Sequence, residues 1–147
     1  MWLKIKKTFV SLLLLVVICL PVSAQDDPLI LSYVALSKAT RTLLSSLELS
    51  GSAEDAVAAL ESYNDDLVVI LPALREAERI SPYGGVSSID DLPPDVKDVV
   101  EEVRATMEEF SGRLQELLAP YMENGPLLQA WNKMGRLFIT NGRIDES

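Results

Sequence analysis

The sequence predicts an all-α protein: an antiparallel up-and-down four-helix bundle preceded by a cleavable signal peptide. Three observations carry that prediction. Four segments repeat apolar residues in alternating steps of three and four, the spacing of one helix face. No segment shows the two-residue alternation of a half-buried strand. The chain also opens on a basic stretch, Lys4, Lys6 and Lys7, followed by an apolar run from Phe9 to Leu20 and then Pro21-Val22-Ser23-Ala24.

The opening has the three parts of a secretory signal: a positive start, a short apolar centre and small residues at a cut site. Lysines hold such a start on the cytoplasmic side. Val22 and Ala24 stand three and one residues before the expected cut, and Pro21 breaks the helix ahead of them. The apolar run falls short of the about 20 residues that span a bilayer comfortably. Cleavage after Ala24 is therefore expected, and the alternative is an uncleaved anchor. The expected division is a signal peptide over 1–24, a bundle over 25–142 and a tail over 143–147. The expected location is the periplasm or the extracellular space, with membrane contact only if the signal is retained.

Cleavage changes the chemistry of the chain. It removes three lysines, leaving 10 Lys and Arg against 22 Asp and Glu, a net charge of −12. Such a charge disfavours nucleic acid and anionic lipid as partners. Cleavage also removes Cys19, the only cysteine. An exported domain without disulfides must be held by its core, which suits a helical bundle.

The first helix is expected from Asp27-Pro28, a capping residue followed by a proline at the first helical position. Its stripe is Leu29, Tyr33, Leu36, Thr40, Leu43 and Leu47, and Ser50-Gly51-Ser52 ends it. Ser52 caps a second helix from Ala53 to Ile80, with Glu54 and Asp55 in the first turn where the helix dipole favours acids. Its stripe is Val57, Leu60, Leu67, Leu71 and Leu74, with Asn64 in the seam. The segment from Leu67 to Leu74 is apolar almost all round, so it is expected to be the most buried. Pro72 inside it predicts a kink or a break, because proline lacks the donor and presses on the Val68 carbonyl. Ser81 to Leu92 is read as the longest loop.

Pro93-Pro94-Asp95 opens the third helix, with the cleanest repeat in the chain: Val96, Val100, Val103, Met107, then Phe110, Leu114, Leu117 and Tyr121. That is a bundle seam. Pro120 ends or bends it. Asn124-Gly125-Pro126 turns the chain into a short fourth helix carrying Leu127, Trp131, Met134 and Phe138, and Asn141-Gly142 stops it. Four amphipathic helices joined mostly by short connections imply the up-and-down bundle.

The stretch Ala53 to Leu60, the amphipathic run to Glu78, the Ser-Pro loop and the Pro-Pro-Asp-Val-Lys-Asp opening resemble the periplasmic cytochrome b-562-like four-helix family. The resemblance is one of layout. It implies the bundle without its haem, because the family's early methionine is missing from Leu29 to Leu49 and the chain contains no histidine.

The residue inventory removes most chemistries. Without histidine or cysteine the mature chain lacks the usual zinc ligands, the Glu-x-x-His pairs of di-iron bundles, and any Ser-His or Cys-His nucleophile. Gly84-Gly85 is not followed by the Gly-Lys-Ser/Thr of a phosphate loop. The acidic pairs Asp65-Asp66, Asp90-Asp91, Glu101-Glu102 and Glu108-Glu109 could meet a hard cation. They read better as solvated helix faces, with Lys97–Glu101 and Arg104–Glu108 paired one turn apart. Met107 and Met134 read as packing residues, and Thr40 and Asn64 as register-setting polar groups that could also face a small ligand. No enzyme activity, cofactor or metal is expected.

Charge distribution singles out the fourth helix. Residues 124–144 carry Lys133, Arg136 and Arg143 and no acid, against an acidic remainder. The candidate partner-binding residues are therefore Leu127, Trp131, Lys133, Arg136 and Phe138. The functional expectation is a non-catalytic interaction or structural module of the cell envelope, with an unidentified envelope protein as partner. The alternative is a small-ligand or cofactor carrier using the bundle interior.

Overall fold

The computed structural model describes residues 27–142; the signal over 1–24 and the tail over 143–147 lie outside the described residues. The described chain is all-helical, with four α-helices and no strand: α1 (Pro28–Glu48), α2 (Ala53–Ile80), α3 (Pro94–Leu118) and α4 (Gly125–Thr140). Two short 3-10 turns, Ile89–Asp91 and Ala119–Tyr121, flank α3.

The helix boundaries follow from local chemistry. The Asp27 carboxylate accepts hydrogen bonds from the Leu29 and Ile30 amides at 2.9 and 3.2 Å, satisfying donors that a helix start leaves open. Ser52 Oγ accepts from the Asp55 amide at 3.2 Å, and Asn124 Oδ1 accepts from the Leu127 amide at 3.0 Å. Helix α3 ends at Leu118, just ahead of Pro120, and tightens into the second 3-10 turn. Helix α4 ends on two left-handed residues, Asn141 and Gly142, whose φ angles are 53° and 79°.

Helix α2 runs unbroken through Pro72, so of the expected kink or break the break does not occur. The segment 67–74 is also less buried than its composition suggested. Leu67 and Leu71 are buried, Val68, Ile70 and Leu74 are half-buried, and Val69 is 70% exposed. One face of that segment meets neighbours, and its apolar back faces solvent.

The closest helix pairs are α1–α2, α1–α3 and α2–α4. Helix α2, consecutive with α3 in sequence, is not closely paired with it. Side-chain contacts give the direction of each pair. Ser81, just past the end of α2, donates to Asp27 at the start of α1, so α1 and α2 are antiparallel. Ser37 meets Thr106 and Arg113 meets Glu48, so α1 and α3 run the same way. Asn64 meets Ala130, and Pro72 lies against Gly142, so α2 and α4 also run the same way.

The main core draws on all four helices, with Leu43, Leu60, Tyr63, Phe110, Leu118 and Leu137 among its buried members. A second cluster, Ile30, Val96, Val99 and Val103, joins the starts of α1 and α3. It forms where α4 is absent. At 1.5 Å per residue, the 16 residues of α4 reach about 24 Å, while the 28 residues of α2 reach about 42 Å. Loop 81–93 folds over the end that α4 leaves uncovered.

Candidate functional site

Helix α4 places its five candidate residues in three environments. Leu127 is fully buried in the main core, one turn inside the Asn124 cap. Trp131 and Phe138 are half-buried on one flank and pack against that core. Lys133 is half-buried and Arg136 exposed on the other flank. The core positions of α4 are Leu127, Ala130, Met134 and Leu137. The helix is therefore turned from the expected stripe, with Ala130 and Leu137 inward and Trp131 and Phe138 at the edge.

A small residue at Ala130 has a clear reason. The Asn64 side-chain amide donates to the Ala130 carbonyl at 2.9 Å, and both residues are buried. A larger side chain there would hold the helices apart. Only undocking α4 would expose Leu127, whereas Trp131, Lys133 and Arg136 border a shallow outer groove with Glu61, Gln129 and Ile139. Ile139 is 82% exposed. Neither Lys133 nor Arg136 makes an ion pair among the described residues, in contrast to Arg41, Arg79, Lys97, Arg104 and Arg113.

The acidic pairs lie on the surface. Glu102 pairs with Arg41 at 2.7 Å and Glu108 with Arg104 at 3.1 Å. Lys97 pairs with Asp90 at 2.6 Å, so its partner comes from the loop and not from Glu101 one turn along the helix. Partial burial raises the Asp66 carboxyl above its ordinary pKa, and the neighbouring Asp65 adds to the shift. Among the described residues no group of three or more acidic side chains is arranged to hold a metal ion.

A polar layer crosses the core at the level of Thr40. Its hydroxyl lies 3.0 Å from the Tyr63 hydroxyl and 3.7 Å from the Met107 sulfur. Burial raises the Tyr63 phenol to about 12; the Thr40 hydrogen bond opposes the shift and the Asp66 charge adds to it. Beside this layer, Arg41 Nη2 donates to Thr106 Oγ1 at 3.1 Å, and Thr106 donates to the Glu102 carbonyl at 3.0 Å. Asn64 Oδ1 is buried without a hydrogen-bond partner among the described residues. These groups link helices; none pairs a nucleophile with a base.

A second concave feature was not foreseen. Between the start of α1, the last turn of α2, loop 81–93 and the start of α3 lies a cavity of about 190 Å³. Tyr33, Glu78 and Tyr83 supply its polar side chains together with Ser88. Burial is the main reason the Tyr33 phenol is raised above its ordinary pKa, and the adjacent Glu78 carboxylate raises it further.

Together these features define an acidic helical protein with one unpaired cationic helix and one small terminal cavity. No family model, curated protein or solved structure matches the chain.

Proposed function

We propose that the protein is exported by its N-terminal signal and acts without catalysis, as an interaction module of the cell envelope. In this reading the four helices form an up-and-down bundle, and α4 presents a partner surface built from Trp131, Lys133 and Arg136. The observation that carries it is that two cations without an ion pair among the described residues border the same outer groove as a half-buried tryptophan, on an otherwise acidic molecule. An acidic partner would gain encounter rate from the charge and affinity from the aromatic edge. No described helix is long and apolar enough to cross a membrane.

The test is mild cross-linking in the native envelope, comparing wild type with Lys133→Glu/Arg136→Glu. A reproducible cross-linked partner that disappears in the variant, at unchanged thermal stability, supports the proposal. No partner, or a partner indifferent to the charge reversal, overturns it.

A further inference from the structure

We propose that the cavity at the start of α1 binds a small organic ammonium with one ring-sized apolar body, such as an arylalkylamine. Three features of the cavity lead there. The first is size and lining. The walls include Leu29 and Ile30 from α1, Val86 and Ile89 from the loop, and Val96 and Val100 from α3. An apolar cavity of about 150 Å³ is enough for benzene, so about 190 Å³ accommodates one ring and a short arm.

The second feature is charge. Among the described residues that line it, Glu78 is the only one of an acidic or basic type, and it makes no ion pair among the described residues. The neighbouring charges are engaged elsewhere. Asp27 accepts from Ser81, Leu29 and Ile30, and Asp90 pairs with Lys97. Glu76 pairs with Arg79 at the last turn of α2. A ligand ammonium would therefore meet an anion with no cationic competitor in the lining. The Tyr33 and Tyr83 rings add faces that attract a cation. A carboxylate or phosphate would meet Glu78 and be repelled.

The third feature is that the wall is held in place. Gly84 rests against the backbone of Glu78: a Cβ built on it would lie 1.9 Å from the Glu78 carbonyl oxygen. Ser81 Oγ donates to Asp27 at 2.9 Å and accepts from the Tyr83 amide at 3.2 Å. The loop backbone is thus fixed to both α1 and α2, so the cavity exists before a ligand arrives and little ordering cost falls on binding.

This site lies beyond the end of α4 and shares no residue with the proposed partner surface, so the two readings fail separately. The probe is 2-phenylethylamine, titrated into the full chain near neutral pH and followed by calorimetry and backbone amide NMR. The comparison ligands are 2-phenylethanol, its neutral analogue, and phenylacetate. The amine is expected to saturate, with shifts confined to residues 29–33 and 78–100, and to bind about three- to fivefold tighter than the alcohol, the upper scale of one exposed charge pair. Glu78→Gln is expected to remove that preference while leaving the alcohol unaffected. Val100→Phe fills the cavity and is expected to abolish both; Ile89→Phe, in the loop, does the same if Val100→Phe fails to fold. Equal affinity for amine and alcohol, shifts elsewhere, or no saturable amine binding at about 10 mM overturns the proposal.

Discussion

Gly142 is the point at which α4 closes onto α2, and its replacement by alanine tests the packing directly. Its φ of +79° is left-handed, and a Cβ there would stand 2.6 Å from Pro72 Cδ, 2.9 Å from Pro72 Cγ and 3.3 Å from the Leu67 carbonyl oxygen. Gly142→Ala therefore carries two separate costs. A left-handed alanine costs about 1–2 kcal/mol. The overlap with a ring fixed inside a helix adds about 1–3 kcal/mol, the usual range for overpacking. The sum, about 2–5 kcal/mol, lowers the melting midpoint by about 10–20 °C for a domain of this size. Far-UV circular dichroism melts read it. Gly142→Asn separates the two costs, because asparagine tolerates the left-handed region and retains the overlap. It is expected to melt between wild type and Gly142→Ala. Pairing Gly142→Ala with Pro72→Ala should recover part of the overlap, with a coupling of about 1 kcal/mol in a double-mutant cycle. A Gly142→Ala midpoint within about 2 °C of wild type, or no coupling to Pro72, would refute the reasoning.

Two further predictions concern the polar groups of the core. The Tyr63 phenol has a folded pKa of about 12 against an ordinary 10.0. Its neutral form is the one the fold favours, so its contribution is complete below pH 10 and is lost as pH rises toward 12. Between pH 9 and 11.5, urea unfolding of wild type should lose about 1–2 kcal/mol more than Tyr63→Phe; parallel losses would show that Tyr63 titrates normally. At Asn64, Leu should be neutral or stabilising within about 1 kcal/mol, since it removes an unpartnered acceptor. Asn64→Asp should destabilise by about 3 kcal/mol or more near neutral pH, the scale of an unpaired buried charge, and recover as pH falls, because burial raises the carboxyl's folded pKa and protonation removes the charge. A destabilised Asn64→Leu together with a pH-indifferent Asn64→Asp would place Oδ1 in contact with water or another partner.

The helix ends were readable because their chemistry is local. Asp27-Pro28, Ser52, Asn124-Gly125-Pro126 and Asn141-Gly142 each act within one turn. Which helix meets which is not local. The seam of α3 specifies an apolar face but not whether α1 or α2 covers it, and the structure pairs it with α1. The rotation of α4 had the same origin. Trp131 and Phe138 outrank Ala130 in hydrophobicity, yet the Asn64–Ala130 hydrogen bond requires a small residue between the helices. Segment 67–74 misled for the converse reason: apolar composition does not supply a neighbour for every side, and Val69 is left 70% exposed. The candidate cavity joins Tyr33 of α1 to Glu78 and Tyr83 around the end of α2, and Tyr33 is too far from the other two in sequence to read as one site. A signal was nevertheless present. Val86, Ile89 and Leu92 recur every three residues in the segment read as the longest loop, a spacing that suits a loop packed against a core.

The length of α4 explains why partner surface and cavity occupy different places. A fourth helix as long as α2 would have continued the regular packing of ridges into grooves to the end of the molecule. Instead α4 stops against Pro72, and beyond it the ends of α1, α2 and α3 are covered by the loop. A loop cannot offer a periodic ridge. It contributes apolar residues at the few points where its backbone permits, and Gly84 fixes one of those approaches. Incomplete filling is then expected at that end and not where all four helices meet, where Leu60, Leu67, Leu118 and Leu137 from three helices are almost wholly buried. The same shortness leaves no acidic residue within α4, so its cations depend on α2 for any internal partner. Lengthening α4 by two turns with a leucine-bearing segment should therefore displace the loop. The expected result is a higher melting temperature together with loss of 2-phenylethylamine binding. Gain of stability with binding retained would show that the loop and an extended α4 can occupy that end together.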